Sequence, residues 1–229
     1  MGIWPGSRGK AFRKSTEGKL AGLLARHRIG CVIDVGANTG QTGQMLRRIG
    51  FAGRIVSFEP GPAAHAALSA AAAGDAGWTV APRTAVGAER GTITLTLSEA
   101  SDRSSALPPP TRDARPAPHT RHRHRRRAGD HGHAIVADHC RAGERLLLKI
   151  DTQGMEMAVL AGAEPVLDRI DAIHVEMSLL PLYEGEPDYL AILQHLHARG
   201  FRPAMLTERT FSEALGRQLQ VDGLFFRDA

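Results

Sequence analysis

Cys31 to Gly43 reads C-V-I-D-V-G-A-N-T-G-Q-T-G. The apolar run Cys31-Val32-Ile33 with Val35 is interrupted by one acid, Asp34. It then turns through Gly36-Ala37-Asn38-Thr39-Gly40 and continues into Gln41–Arg48, a segment able to form a helix. A buried strand, a glycine turn and a helix make the first unit of an open α/β sheet. Gly36 and Gly40 are expected to let backbone approach a ligand that a Cβ would push away. Ligands in such a sheet bind beyond the carboxyl ends of the strands, so function is expected at this turn.

The rest of the chain agrees with that class. Helical and strand-like runs alternate, the pattern of an α/β domain, and 229 residues suit a single domain. Hydrophobic content of 42% fits a globular chain. No window reaches the ~18–20 apolar residues of a membrane span, and M-G-I-W-P-G-S-R-G-K lacks the apolar core of a signal peptide. The two cysteines, Cys31 and Cys140, make no disulfide framework. The reading is a reduced, cytoplasmic protein with no membrane partner. Net charge is +5, but Pro108–Arg141 holds eight Arg against three Asp, and the remainder holds 21 basic and 21 acidic residues. All the excess charge therefore belongs to one island, which argues against nucleic acid as the partner of the fold.

In chain order, residues 1–18 read as a polar lead-in and Lys14–Arg28 as a first helix. Arg54–Glu59 reads as a second strand stopped by Pro60-Gly61-Pro62, with an alanine-rich helix over Ala63–Ala73. Trp78–Val80 and the alternating, β-branched Thr92–Leu97 read as strands. The island over 108–134 has no apolar periodicity of either kind, so it is expected to be disordered and to leave Thr92–Leu97 without a partner. Leu146–Asp151 and Ala172–Met177 read as strands, Tyr189–Arg199 as a helix, and Phe201–Leu206 and Val221–Phe226 as the last two strands.

Three acids stand at or just past the ends of apolar strands: Glu59, Asp151 and Glu176. In a doubly wound sheet those ends converge on one crevice. Glu59, one strand beyond the glycine turn, can accept both hydroxyls of a ribose, in NAD or in another adenosine cofactor. The turn separates these options. Dinucleotide folds need G-x-G-x-x-G, whose second glycine lets backbone touch the pyrophosphate. Here the spacing is G-x-x-x-G-x-x-G, Asn38 takes the place of that glycine, and no G-x-x-x-x-G-K-S/T loop exists. Asp34 would repel phosphate but can serve an amino group. A phosphate-free adenosine cofactor with a polar tail fits, which describes S-adenosylmethionine.

D-V-G-A-N-T-G-Q, V-S-F-E-P, L-L-L-K-I-D-T-Q-G-M-E and H-V-E-M-S-L-L-P-L-Y-E-G, in that order and with D-G-L-F-F near the end, resemble the FkbM family of S-adenosylmethionine-dependent methyltransferases. The resemblance spans roughly 30–107 and 135–228. It implies a class I methyltransferase fold: a Rossmann-like, seven-stranded, mostly parallel sheet with helices on both faces and the last strand antiparallel. It implies methyl transfer to a hydroxyl of a sugar or small natural product. By motif, Asp34, Gly36, Asn38, Thr39, Gly40 and Gln41 would hold the methionine part, and Glu59 with Pro60 the ribose. Asp151, Glu156 and Glu176 match the acidic positions facing the methyl group and acceptor. Ser104-Ser105 follow Thr92–Leu97, where the family has similar serines; they would contact adenine or cap a helix.

A sulfonium is already an activated methyl donor, so the enzyme mainly aligns an acceptor oxygen with it. A hydroxyl needs a base to take its proton. Asp151 is the first choice, Glu176 the second, and His174, on the same strand face as Glu176, a third. Asp151 and Glu176 could instead chelate a divalent cation, although no dedicated cage is visible. Two rivals stand beside this reading: a homologue that binds cofactor without turnover, and an NAD-dependent oxidoreductase on a similar sheet. The island departs from the family pattern, which returns at Ile135.

Overall fold

The computed structural model describes residues 9–97 and 123–228. Two short helices lead, α1 (Lys10–Lys14) and α2 (Thr16–Arg26). The single helix expected over Lys14–Arg28 is divided because Ser15 is extended and caps α2, its side chain accepting the Gly18 N–H at 3.1 Å. Then come β1 (Cys31–Val35), α3 (Gln41–Ile49), β2 (Arg54–Phe58), α4 (Pro62–Ala72), β3 (Trp78–Val80), β4 (Ala85–Gly87) and β5 (Gly91–Leu97). After residue 122 the chain forms β6 (Arg123–His131), α5 (Gly132–His139), β7 (Leu146–Ile150), α6 (Glu156–Ala163), a 3-10 helix (Glu164–Arg169) and β8 (Ile170–Ser178). It closes with α7 (Tyr189–Ala198), β9 (Phe201–Ser212) and β10 (Arg217–Arg227).

Seven strands make the main sheet, in the order β3-β2-β1-β7-β8-β10-β9. The neighbouring pairs among β3, β2, β1, β7 and β8 are all parallel, whereas β10 runs antiparallel to both β8 and β9. This is the expected class I methyltransferase architecture, last strand included. Parallel central strands need apolar cover on both faces. On one face Ile33, Leu148 and Ile173 pack with Val159 and Leu160 of α6 and with Ile192 and Leu196 of α7. On the other, Val32, Leu147 and Ala172 pack with Leu20 and Leu24 of α2, Leu46 and Ile49 of α3, and Leu68 of α4. Gly43 of α3 belongs to that packing, because a Cβ there would lie 2.1 Å from the Trp78 ring. Trp78 is seated in turn by its Nε1–H, which donates to Ser57 Oγ at 3.0 Å.

The island differs from expectation. Its last part, Arg123–His131, is a strand pairing antiparallel with β5, from Gly91↔Gly129 to Leu97↔Arg123, and parallel with β4. Thr92–Leu97 therefore has a partner. Gly132–His139 is helical, and Ile135 and Val136 reach the core. Ladder hydrogen bonds are made by backbone groups, so a strand can form where the side chains carry no apolar alternation. The disorder expected over 108–122 concerns residues outside those described. The same reasoning explains why β9 and β10 run longer than expected: their polar outer ends stay paired, from Arg217↔Ser212 to Gln220↔Thr210. Among the described residues no helix is long and apolar enough to cross a membrane.

Candidate active site

The site forms where the main sheet's parallel strands end. The turn after β1 is drawn inward by two N–H donors, Gly36 and Ala37, which share Phe58 O at 3.0 Å each. Asp151 N–H donates to Val35 O at 3.0 Å from the other side. Gly36 has φ +77°, and a Cβ on it would stand 1.9 Å from the Asp151 carbonyl oxygen. Gly40 has φ +93° and would place a Cβ 3.2 Å from Leu68 and Trp78. Both glycines thus serve close protein packing.

Glu59 stands one residue past β2 and is 8% exposed. Its two oxygens accept the Asn38 N–H at 2.9 Å and the Gly61 N–H at 2.7 Å. Burial pushes its carboxyl above the usual range against those donors. Asn38 is held at φ +49°, a region that asparagine tolerates better than most residues. Its Oδ1 is buried without a hydrogen-bond partner among the described residues. Thr39 and Gly40 complete the turn, Gln41 opens α3 with an exposed side chain, and Pro60 follows Glu59 half-buried. Ser104 and Ser105 lie outside the described residues.

Strand register builds a charged row across the sheet. Asp34 pairs with Lys149, and Lys149 with His174. Asp34 is fully buried, and Lys149 Nζ lies 3.2 Å from its Oδ1 and 3.4 Å from Asp151 Oδ2. The approach to Asp34 is off the hydrogen-bonding direction, so neither Asp34 oxygen accepts a well-aligned bond among the described residues. Burial opposes the Lys149 ammonium, but Asp34 and Asp151 outweigh it and raise its pKa. His174 is pushed below its ordinary value by burial, with Lys149 adding to the effect against Asp222, Asp151 and Asp34. It stands in this row as a neutral imidazole.

One step nearer the strand tips, Asp151 and Glu176 are bridged twice. Gln153 Nε2 donates to Asp151 Oδ1 at 2.9 Å and to Glu176 Oε2 at 2.6 Å. Arg209, reaching over from β9, lies 3.3 Å from Asp151 Oδ2 and 3.0 Å from Glu176 Oε1. Its guanidinium also comes within 3.9 Å of Asp222. Burial raises the Asp151 carboxyl, but Lys149, Gln153 and Arg209 outweigh it and hold the group below its ordinary value. Burial, then the charge of Asp151, pushes Glu176 up to about 8. The two acids share partners and titrate as a pair. Glu156 is turned into its own loop, where its carboxylate accepts N–H groups of Thr152 at 3.0 Å and Gly154 at 3.0 and 3.1 Å. Burial pushes it up to about 7.

The structure thus brings Asp34, Asp151, His174 and Glu176 together on one face, with Glu59 across the turn. Sequence reasoning missed Lys149, Gln153 and Arg209, together with Gln220, whose Nε2–H donates to Glu176 Oε2 at 2.7 Å, and Tyr183, whose O–H donates to Gln153 Oε1 at 3.2 Å. Lys149 carried a signal, being a lone charge inside L-L-L-K-I as Asp34 is inside C-V-I-D-V. Arg209 carried none, since the outer half of β9 has no apolar pattern. Among the described residues no three of His, Cys, Asp and Glu group to hold a metal ion.

Comparison with known proteins decides the family. The model of the methyltransferase FkbM domain matches residues 34–203, most of the chain. The chain belongs to this family. No curated protein sequence matches it significantly. Its fold resembles a putative methyltransferase from Thermobifida fusca, with TM-score 0.54, 11% identity, and coverage of 96% of this chain and 81% of that one. It also resembles an rRNA methylase from Streptococcus thermophilus, with TM-score 0.51, 11% identity and coverage of 94% and 98%. The plantazolicin methyltransferase BamL, solved with a triazolic desmethylPZN analog and SAH, matches at TM-score 0.50, 8% identity and coverage of 95% and 87%. At these identities the likeness is one of fold. The methyltransferase sheet and the FkbM motifs coincide with the strand tips described above.

The raised acids of this FkbM domain predict a pH-dependent stability. Folded Glu156 and Glu176 keep protons that the unfolded chain, near the ordinary value of 4.5, has already released. Their contribution is full below that value and is lost as pH rises through about 7 and about 8. The melting temperature should fall between pH 5.5 and 8.5, a window of about three units, and less steeply in Glu176→Gln. Equal slopes in the two proteins would contradict the assignment.

Proposed function

We propose that this FkbM-family methyltransferase uses S-adenosylmethionine to methylate a hydroxyl oxygen of a neutral small molecule or glycan. The observation that carries the reading is the unsatisfied acceptor set at the first βα turn. Asn38 Oδ1 and Asp34 Oδ2 are buried and receive no hydrogen bond from the described residues. Such atoms suit a donor-rich group, an ammonium or a hydroxyl, whereas a phosphate would bring only further acceptors. The residues therefore fit the amino-acid end of S-adenosylmethionine better than the pyrophosphate of NAD.

When bound, the cofactor supplies a methyl group on a sulfonium, already activated for transfer. The chain's own residues do the rest. Asp34, Asn38, Thr39, Gly40 and Gln41 hold the methionine part. Glu59 uses two of a carboxylate's roughly four lone-pair positions on Asn38 and Gly61 and keeps the others for the ribose hydroxyls, beside Pro60. Asp151, held charged by Lys149 and Arg209, accepts the proton of the acceptor hydroxyl. Glu176 and His174 border the same space, and Glu156 keeps the loop in shape beneath the acceptor. At the mouth the charged Asp151 and Asp222 flank one arginine, so no excess of positive charge is left for a phosphate-bearing acceptor.

Calorimetry with S-adenosylhomocysteine, beside NAD, tests the reading. S-adenosylhomocysteine should bind and raise the melting temperature. Glu59→Ala should weaken that binding by about 1–3 kcal/mol, the scale of hydrogen bonds to a charged group. Tight NAD binding with no response to S-adenosylhomocysteine would reject it.

A further inference from the structure

We propose that Gln153 is the positioning residue of this site, clamping the carboxylates of Asp151 and Glu176 together and fastening the segment around Tyr183 over them. As a role in catalysis this rests on the methyltransferase reading; as a structural clamp it stands on the geometry alone.

Gln153 has φ +52°, in the left-handed region that a long side chain adopts only when its surroundings demand it. The turn directs the side chain back across the ends of β7 and β8. There one amide nitrogen serves two acids with its two protons, at 2.9 Å to Asp151 and 2.6 Å to Glu176. The amide oxygen accepts the Tyr183 O–H at 3.2 Å. Tyr183 belongs to a loop tied to itself: Glu186 Oε2 accepts the N–H groups of Leu182 at 2.5 Å and Tyr183 at 3.1 Å, and its Oε1 accepts Ser178 Oγ–H at 2.5 Å. A single neutral side chain thus joins the two acids to the loop beyond β8. Arg209 bridges the same two acids from the solvent side, but with a half-exposed side chain on a different strand.

Charge explains why an amide suits the position. The acids face Lys149 from β7, Asp34 from β1, His174 from β8, Asp222 from β10, Arg209 from β9 and Glu156 from α6. A third carboxylate between them would add repulsion, and an apolar side chain would take from Asp151 Oδ1 its 2.9 Å donor and leave Glu176 Oε2 to Gln220 Nε2–H at 2.7 Å. The amide donates to each without changing the charge.

The test is carboxyl carbon-13 NMR of the full chain, with the Glu176 signal assigned by its loss in Glu176→Gln. Gln153→Asn keeps an amide and suits a left-handed backbone, but it is one methylene short of the acids. Gln153→Gly relieves the backbone and removes the clamp, so at least one variant should fold. In either variant the Glu176 midpoint should rise by roughly half a unit to one unit, because a donor to its charged form is lost. Amide exchange at Leu182 and Tyr183 should quicken about tenfold as the loop loosens. Unchanged midpoints in the folded variants overturn the proposal, whatever the exchange rates do. S-adenosylhomocysteine titrated into the same samples separates the two ideas. Lack of binding by the unaltered chain rejects the methyltransferase reading, while the NMR midpoint still decides the clamp.

Discussion

Lys149→Met should destabilise the fold by about 3–5 kcal/mol, the scale for removing one partner of a buried ion pair. Asp34 has no exposed surface, and its compensating cation, Lys149 Nζ, lies 3.2 Å away. Methionine keeps the apolar stem of lysine and removes the charge, leaving Asp34 ionised in the sheet or forcing it to take up a proton. Asp151 loses one of its two cations as well and would rely on Arg209. Chemical denaturation at neutral pH measures the loss. Adding Asp34→Asn to the variant should recover a large part of it, because the uncompensated charge is then gone. A double variant no more stable than Lys149→Met alone would show that the lysine acts through packing rather than charge.

Asp151→Asn should lower methyl-transfer turnover ~10²–10⁴-fold, the usual range for loss of a general base. The change keeps the shape of the side chain and removes its ability to hold a proton. S-adenosylhomocysteine affinity should move far less, since the cradle at Asn38 and Glu59 is untouched. Release of S-adenosylhomocysteine in the presence of neutral polyhydroxyl acceptors gives the rate. Near-normal turnover would transfer the role to Glu176 or His174. Those two differ in their pH signature: a Glu176 base would make the rate rise through about 8, where its carboxyl titrates, whereas neutral His174 would lose activity only toward acid.

Much of this arrangement was legible in the chain. The apolar runs C-V-I, L-L-L and A-I-H-V showed which segments leave water, and a charge or a glycine at each end showed where they stop. Because parallel strands in an open sheet end on the same side, Glu59, Asp151 and Glu176 could be placed around one crevice before any distance was known. The alternation of His174 and Glu176 about Val175 put both side chains on one face. Segments whose order rests on backbone pairing alone were not legible. Arg123–His131 and the outer half of β9 bond through N–H and C=O groups that every residue carries, so their side chains gave no warning.

The sequence by itself determined the fold class and the strand tips, since burial of apolar runs is a local property of composition and spacing. Tertiary structure alone decided what the acids at those tips are. Asp151 is held charged because Lys149, Gln153 and Arg209 arrive from two different strands and a loop, while burial and the charge of Asp151 push Glu176 toward its protonated form. Their distances depend on the register of the whole sheet. Electrostatic energy falls with distance and with solvent screening, so a charge 58 residues away in the chain adds to the hold of Lys149 on Asp151 once the fold brings it to 3.3 Å.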